Sequence, residues 1–320
     1  MGKFLNSKSD DEIILSAQHS FGRHPTANET ILKNNDASRM HAVILWDEGQ
    51  WWLKDYSTNG TYINGNRVKS AENIALKLND QIVFGKTLTE IWILTDITPP
   101  QSILKAVSPG LTDTVINDIV ALPSEENPEI TIYTTSDGTW VCETLSGISL
   151  IKSGDHVGFD NKIWRFIDAT PSTQTQIRND TTISNPKVIF YVSQNEEHVT
   201  IKINCENKTF DMQERTYHYL ILLLARKMLE DQAAGLHDEE CGWLDKEVIC
   251  DMLKLTENHI NIQIYRFRKQ LIKLLTDASV LVTPIIERRR RELRFTCKDV
   301  AIRGGINSET EKTHHHEVLS

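Results

Sequence analysis

Gly22-Arg23, Ser38-Arg39-Met40-His41 and Ser57-Thr58-Asn59-Gly60-Thr61 interrupt a series of short apolar segments, and that series decides the fold of the first hundred residues. Residues 12–17, 30–33, 41–46, 51–55, 61–63, 81–85 and 90–95 are rich in β-branched and aromatic side chains, which suit a half-buried pleated surface. Between them, Asp47-Glu48-Gly49-Gln50, Asn64-Gly65-Asn66 and Asn79-Asp80 supply side chains that hydrogen-bond locally or tolerate positive φ, and so turn the chain. Strands recurring roughly every 8–12 residues predict a sandwich or barrel, with the polar patches as binding loops at one edge.

The patches also form an inventory of donors. Arg23 and Arg39 offer permanently charged forks, and Ser38, Thr58 and Asn59 add hydroxyl and amide groups. Together they suit a tetrahedral dianion. With His41, with Asp55 ahead of Ser57, with Asn64-Gly65, and with Leu78, Asp80, Ile82 and Phe84-Gly85, the series resembles the forkhead-associated (FHA) domain, an all-β phosphothreonine-binding sandwich. The resemblance covers residues 20–97 and leaves 1–19 as an N-terminal segment including a first strand. It implies that Arg23 and Ser38 contact phosphate directly, that Arg39 and Thr58 lie on its rim, and that Asn59 holds the ligand backbone. His41 and Gly60 fall at supporting positions.

The composition is that of a multidomain chain: 320 residues, 39% apolar and 25% charged. No apolar stretch approaches the roughly 20 residues that span a membrane, so a soluble, cytoplasmic protein without membrane partners is expected. Cys142, Cys205, Cys241, Cys250 and Cys297 are scattered and lack close pairs, which predicts reduced structural thiols and no metal site. The net charge of −9 is uneven: residues 1–186 carry −8, whereas residues 258–298 carry +7. A basic segment closing an acidic chain calls for its own explanation.

Residues 98–168 echo part of the first hundred. Trp140-Val141-Cys142-Glu143, residues 151–159 and Trp164-Arg165-Phe166 parallel Trp52-Leu53, residues 78–84 and Trp92-Ile93, without equivalents of Gly-Arg or Asn-Gly. A small β extension resembling a degenerate second half of the FHA sandwich is expected, serving to pack and space. Residues 169–186, polar and threonine-rich with two prolines, read as a flexible linker.

From residue 187 the period changes. Strands over 188–192 and 199–203 precede helices over 214–230, 245–253 (with Asp245 as N-cap) and 257–275. On the third helix Ile260, Ile264, Phe267, Leu271 and Leu274 form the core face, with Asn258, Ile262, Tyr265, Arg266, Lys269 and Lys273 roughly opposite. Strands over 280–286 and 293–297 bracket a basic tip, Arg288-Arg289-Arg290-Arg291. Sheet, helices and basic hairpin in that order, with Ile260-Asn261-Ile262-Gln263-Ile264-Tyr265-Arg266-Phe267-Arg268-Lys269-Gln270-Leu271, resemble the α+β winged helix-turn-helix of OmpR/PhoB-type regulators. The domain spans 187–303, followed by a disordered tail, 304–320. The resemblance implies DNA contacts from Asn258, Gln263, Tyr265, Arg266, Arg268 and Lys269 in the major groove, and from Arg288, Arg289, Arg290 and Arg291 in the wing. By helical angle Gln263 and Arg268 border the core, so Arg268 has a second reading: its stem on the sheet and its head on a carboxylate.

No phosphate loop, H-E-x-x-H or G-x-S-x-G motif is present, so no enzyme and no cofactor are expected. The two resemblances together imply a bacterial, phosphothreonine-dependent transcriptional regulator, with a Ser/Thr kinase upstream and dimerisation as one route to control. The alternative is a phosphopeptide-binding scaffold of a signalling or secretion assembly, its winged helix serving as a protein interface.

Overall fold

The computed structural model describes residues 1–306 apart from 89, 136–137, 170–185, 206–207 and 279–284. The linker expected over 169–186 and the tail expected over 304–320 lie almost wholly outside the described residues. Two units divide the chain: one comprises Met1–Asn117, Lys152–Val157 and the described residues from Asn161, and the other Asp118–Ile151, Gly158–Asp160 and the described residues from Pro186.

In the first unit, β1 (Lys3–Asn6), β2 (Glu12–Ile14), β3 (Gln18–Gly22), β4 (Thr30–Ile31), β5 (Ala42–Asp47), β6 (Gln50–Asp55), β7 (Thr61–Ile63), β8 (Asn66–Arg67), β9 (Asn73–Ala75), β10 (Gln81–Phe84) and β11 (Trp92–Asp96) make two sheets. Their orders are β2-β1-β11-β10-β7-β8 and β4-β3-β5-β6-β9. Alternation places Phe4, Phe21, Ile44, Leu53, Ile82, Phe84 and Leu94 in one core, where the rings of Phe21 and Phe84 stack at 4.7 Å. The β5–β6 and β7–β8 turns set Glu48-Gly49 and Asn64-Gly65 at positive φ, as two-residue hairpins require.

The expected boundary at residue 20 is corrected. Antiparallel pairing to β11 places β1 inside the six-stranded sheet, and β3 runs across the boundary. β3 escapes a pattern search because His19 and Ser20 make it look polar; His19 is nonetheless buried, its Nε2 2.7 Å from the Thr30 hydroxyl.

The next eight strands are β12 (Ile103–Ala106), β13 (Thr114–Val115), β14 (Ile119–Ser124), β15 (Asn127–Thr134), β16 (Trp140–Thr144), β17 (Gly147–Leu150), β18 (His156–Phe159) and β19 (Lys162–Ile167). Their orders are β13-β12-β19-β18 and β14-β15-β16-β17. The first repeats β2-β1-β11-β10 and the second repeats β3-β5-β6-β9. The extension therefore echoes both sheets of the first domain rather than its second half, and among the described residues it has no counterpart of β4, β7 or β8.

The second unit holds β14–β17 together with the C-terminal elements: β20 (Lys187–Val192), β21 (Val199–Cys205), β22 (Lys208–Glu214), α1 (His218–Ala233), β23 (Leu244–Asp245), α2 (Lys246–Leu253), α3 (Glu257–Ala278), β24 (Ile286–Arg289), β25 (Glu292–Phe295) and β26 (Asp299–Gly304). One sheet runs β22-β21-β20-β26, with β26 parallel to β20, and a second runs β23-β25-β24. Asp245 caps α2 by accepting the Glu247 N–H at 2.7 Å. Leu220, Ile221, Leu224, Ile260, Ile264 and Phe267 close the core over the sheet. The hairpin departs from expectation: its turn is Arg290-Arg291 alone, because Arg288 and Arg289 belong to β24 and alternate in and out. β14 and β15 lie along α3, and β17 meets β24.

Candidate functional site

Three connections of the N-terminal sandwich converge at the ends of β3, β5 and β6. The Arg23 N–H donates to the Ser38 carbonyl at 2.9 Å and the His24 N–H to the Arg39 carbonyl at 3.1 Å, so the loops carrying Gly22-Arg23 and Ser38-Arg39 run as one ribbon. Gly22 is required by that approach, since a Cβ there would meet the Arg39 carbonyl oxygen at 2.2 Å. Asn28, which the sequence reading did not single out, locks the ribbon: its amide donates to the carbonyls of His24 at 3.0 Å and Arg39 at 2.8 Å.

The third loop joins through side chains. The Thr58 N–H donates to the Ser38 hydroxyl oxygen at 3.1 Å, and the Asn59 amide to the Asp36 carbonyl at 2.7 Å. With its oxygen accepting from Thr58, the Ser38 hydroxyl proton can point to a ligand. Below, His41 is fully buried. Its Nδ1 accepts the Ser38 N–H at 3.0 Å, while its Nε2 stands 3.3 Å from the Gly60 carbonyl, which sets the neutral tautomer with the proton on Nε2. Burial lowers the His41 pKa, the Asp55 charge and the Gly60 carbonyl acting against it. Buried Asp55 accepts from the Ser57 N–H and the Thr61 hydroxyl, and Gly60 sits at φ +93° under the Arg67 guanidinium. Asp36 ties the cluster to the segment that follows β10 by accepting from the Lys86 and Thr87 N–H groups and the Thr87 hydroxyl. Burial raises its pKa, but these bonds outweigh it and hold the carboxyl below the ordinary value.

All five predicted residues thus fall in one loop cluster. Arg23, Arg39 and Thr58 are exposed, and Ser38 and Asn59 are half-buried. The Arg23 Nε is anchored to the Ala37 carbonyl at 3.1 Å, leaving its terminal nitrogens toward solvent. The arrangement presents cationic forks, one oriented hydroxyl and an amide, chemistry that suits a phosphate dianion.

Residues 19–85 match the FHA domain family, and the chain carries an FHA domain there. Over 67 residues it is 34% identical to the serine/threonine-protein kinase RAD53 of Saccharomyces cerevisiae, covering 21% of this chain and 8% of that protein; the chain thus spans less than a tenth of this curated relative. Among solved structures, it is similar to the N-terminal FHA domain of S. cerevisiae Rad53p in complex with a phosphothreonine peptide (25% identity, 30% of this chain and 94% of the other, TM-score 0.27). It is also similar to Mycobacterium tuberculosis EmbR in complex with a low-affinity phosphopeptide (22% identity, 29% and 24%, TM-score 0.26).

The residues assigned to DNA are not presented together. Arg268 and Arg288 are only 5% and 8% exposed, and both close on Glu143 of β16: Arg268 Nε lies 2.8 Å from one carboxylate oxygen and Arg288 Nε 3.1 Å from the other. Arg268 also donates to the Ile286 carbonyl, and Arg288 to Asn261 Oδ1. As folded, neither reaches a ligand; the carboxylate reading of Arg268 holds, and Arg288 is corrected from wing to core. Burial lowers the Arg288 pKa, and Glu143 opposes it. Tyr265, 2% exposed, donates to the Glu125 carboxylate at 2.9 Å, and Lys269 pairs with the same carboxylate. Asn258 donates to the Glu126 carbonyl at 3.1 Å. Gln263 is half-buried. Arg266, Arg289, Arg290 and Arg291 are exposed, although Arg289 stacks on Trp243 at 4.2 Å and pairs with Glu292. Among the described residues there is no cluster of metal ligands and no helix long and apolar enough to cross a membrane.

Proposed function

We propose that the chain is a phosphothreonine-responsive regulator that acts by binding rather than by catalysis. The FHA loop cluster takes a phosphothreonine partner marked by a Ser/Thr kinase in the cytoplasm, and the C-terminal domain, of OmpR/PhoB winged-helix type, engages DNA. The observation that carries this reading is the stitched cluster of Arg23, Ser38, Arg39, Thr58 and Asn59, in which each loop is fixed by hydrogen bonds before any ligand arrives. Preorganised donors lose little on binding. The test is fluorescence anisotropy with phosphothreonine, phosphoserine and unmodified peptide libraries. Selective binding of the phosphothreonine set is expected, and equal binding of the three overturns the reading.

The DNA half is supported by the basic balance of residues 258–298 and by the exposure of Arg266, Arg289, Arg290 and Arg291. Promoter fragments should bind with an affinity that falls steeply as salt rises. One observation favours a second reading, a phosphopeptide-binding scaffold whose C-terminal domain is a protein interface: α3 already carries a protein surface at Asn258, Tyr265 and Lys269. Failure to shift any promoter fragment, with or without a phosphothreonine partner, would decide for the scaffold.

A further inference from the structure

Five of the ten side chains assigned to DNA are engaged by the sheet β14–β17: Asn258, Tyr265, Arg268, Lys269 and Arg288. The contacts concentrate at one end of that sheet. The β14–β15 turn is Glu125-Glu126, closed by the Ser124–Asn127 pair, and it supplies the partners of Asn258, Tyr265 and Lys269. The β16–β17 turn supplies the Leu145 carbonyl, which accepts from Lys246 Nζ at the start of α2 at 3.1 Å. In strand order, β14–β15 corresponds to the β3–β5 connection and the exit of β16 to the exit of β6, the two connections that carry the anion-binding cluster in the FHA domain. The end of the sheet that corresponds to the FHA loop cluster thus forms an interface of opposite polarity: the Glu125 carboxylate accepts from Tyr265 and Lys269, and main-chain carbonyls accept from Asn258 and Lys246.

We propose that the Glu125 carboxylate stands in for a DNA phosphate on α3, and that duplex DNA reaches Asn258, Tyr265 and Lys269 only when the β14–β15 hairpin tip lifts. This rests on the DNA reading given above. The strengths of the contacts indicate what moves. Glu125 and Lys269 are both about half exposed (52% and 50%), and such surface pairs are weak and screened by salt. Glu143, by contrast, is 4% exposed between two buried guanidiniums, where loss of one partner is strongly unfavourable. The tip is a latch and Glu143 its anchor: phosphates of DNA can displace a half-exposed carboxylate from Lys269 without breaking the buried ion cluster.

The test uses the full chain and a fluorescein-labelled, mixed-sequence DNA duplex, with anisotropy as one readout and hydrogen exchange of residues 119–134 as the other. Glu125→Ala removes the latch at an exposed site and should tighten DNA binding about 3- to 10-fold while speeding exchange across 119–134. Saturating duplex should speed the same exchange in the unsubstituted chain. Glu12→Ala, which removes an equally exposed carboxylate paired with Lys3, controls for net charge and should leave affinity unchanged. Equal affinity of the unsubstituted and Glu125→Ala chains overturns the latch and leaves the DNA reading standing, as does an equal gain from Glu12→Ala. No binding by any of the three overturns the DNA reading and the latch with it.

Discussion

Residues 23–41 and residues 125–126 occupy the same place in the strand order of two β units, and they differ in length, charge and neighbour. The first connection leaves β3, forms the edge strand β4 and returns to β5 bearing Arg23, Ser38 and Arg39. The second crosses from β14 to β15 in a two-residue acidic turn seated on α3. Their sheets are ordered alike, so the strands do not determine what is bound. Chain length does: a long connection has room to fold back, bury His41 as an internal prop, brace itself through Asp36 and leave donors to solvent, whereas two residues can only present their own carboxylates and carbonyls.

The sharpest way to break the comparison is at Glu143. Glu143→Ala leaves the buried Arg268 and Arg288 uncompensated, and denaturant unfolding of the second unit should show a loss of about 3–5 kcal/mol; an unchanged midpoint would mean that the acidic sheet does not hold α3. On the FHA side, Arg23→Ala should weaken phosphothreonine-peptide binding roughly 100-fold by calorimetry, about 2–3 kcal/mol for a charge-assisted contact to phosphate. Acid should weaken both units, since burial also brings the pKa of His218, at the start of α1, to about 4. Burial lowers the pKa of His41 and brings that of His19 to about 4, so the unfolded chain takes up more protons than the folded one below the ordinary histidine value of 6.5. FHA stability is then full above pH 6.5 and drains as pH falls below it, His19 contributing down to about pH 4 by up to about 1.4 kcal/mol per pH unit; thermal unfolding of the full chain across that window measures it, and a flat profile would contradict it. The smallest change is Ser38→Ala, which removes both the acceptor for the Thr58 N–H and a donor to the ligand. A loss of peptide affinity near 10-fold, about 1–1.5 kcal/mol, is expected.

What could be read from the residues divides along the same line. The FHA loops are legible because their motif lies within forty residues and each part is constrained locally: Gly22 by the Arg39 carbonyl, Gly60 by its positive φ, Asn64-Gly65 by its hairpin. β1 and β3 are not legible, since each is a short strand of mixed polarity whose burial depends on a partner far along the chain or on the Thr30 hydroxyl. The outer face of α3 is the clearest case. Helical periodicity places Tyr265 and Lys269 correctly on one side, yet it carries no information about Glu125 more than a hundred residues earlier. Arg288 reads as a basic tip until the pairing of β24 with β25 turns its side chain inward, toward Glu143 and Asn261.

The parallel pairing of β20 with β26 bears on how the protein is made. Lys187–Val192 and Asp299–Gly304 are hydrogen-bonded neighbours, with the helices of the C-terminal domain threaded between them in the chain. On the ribosome that sheet cannot be completed until residue 304 has emerged, whereas every strand of the FHA sandwich is available once residue 96 is out. Domains fold as they appear, the N-terminal one first at about 5–20 residues per second. For about ten seconds or more of each synthesis cycle, a nascent chain can therefore hold a finished phosphopeptide pocket while its C-terminal domain is still incomplete.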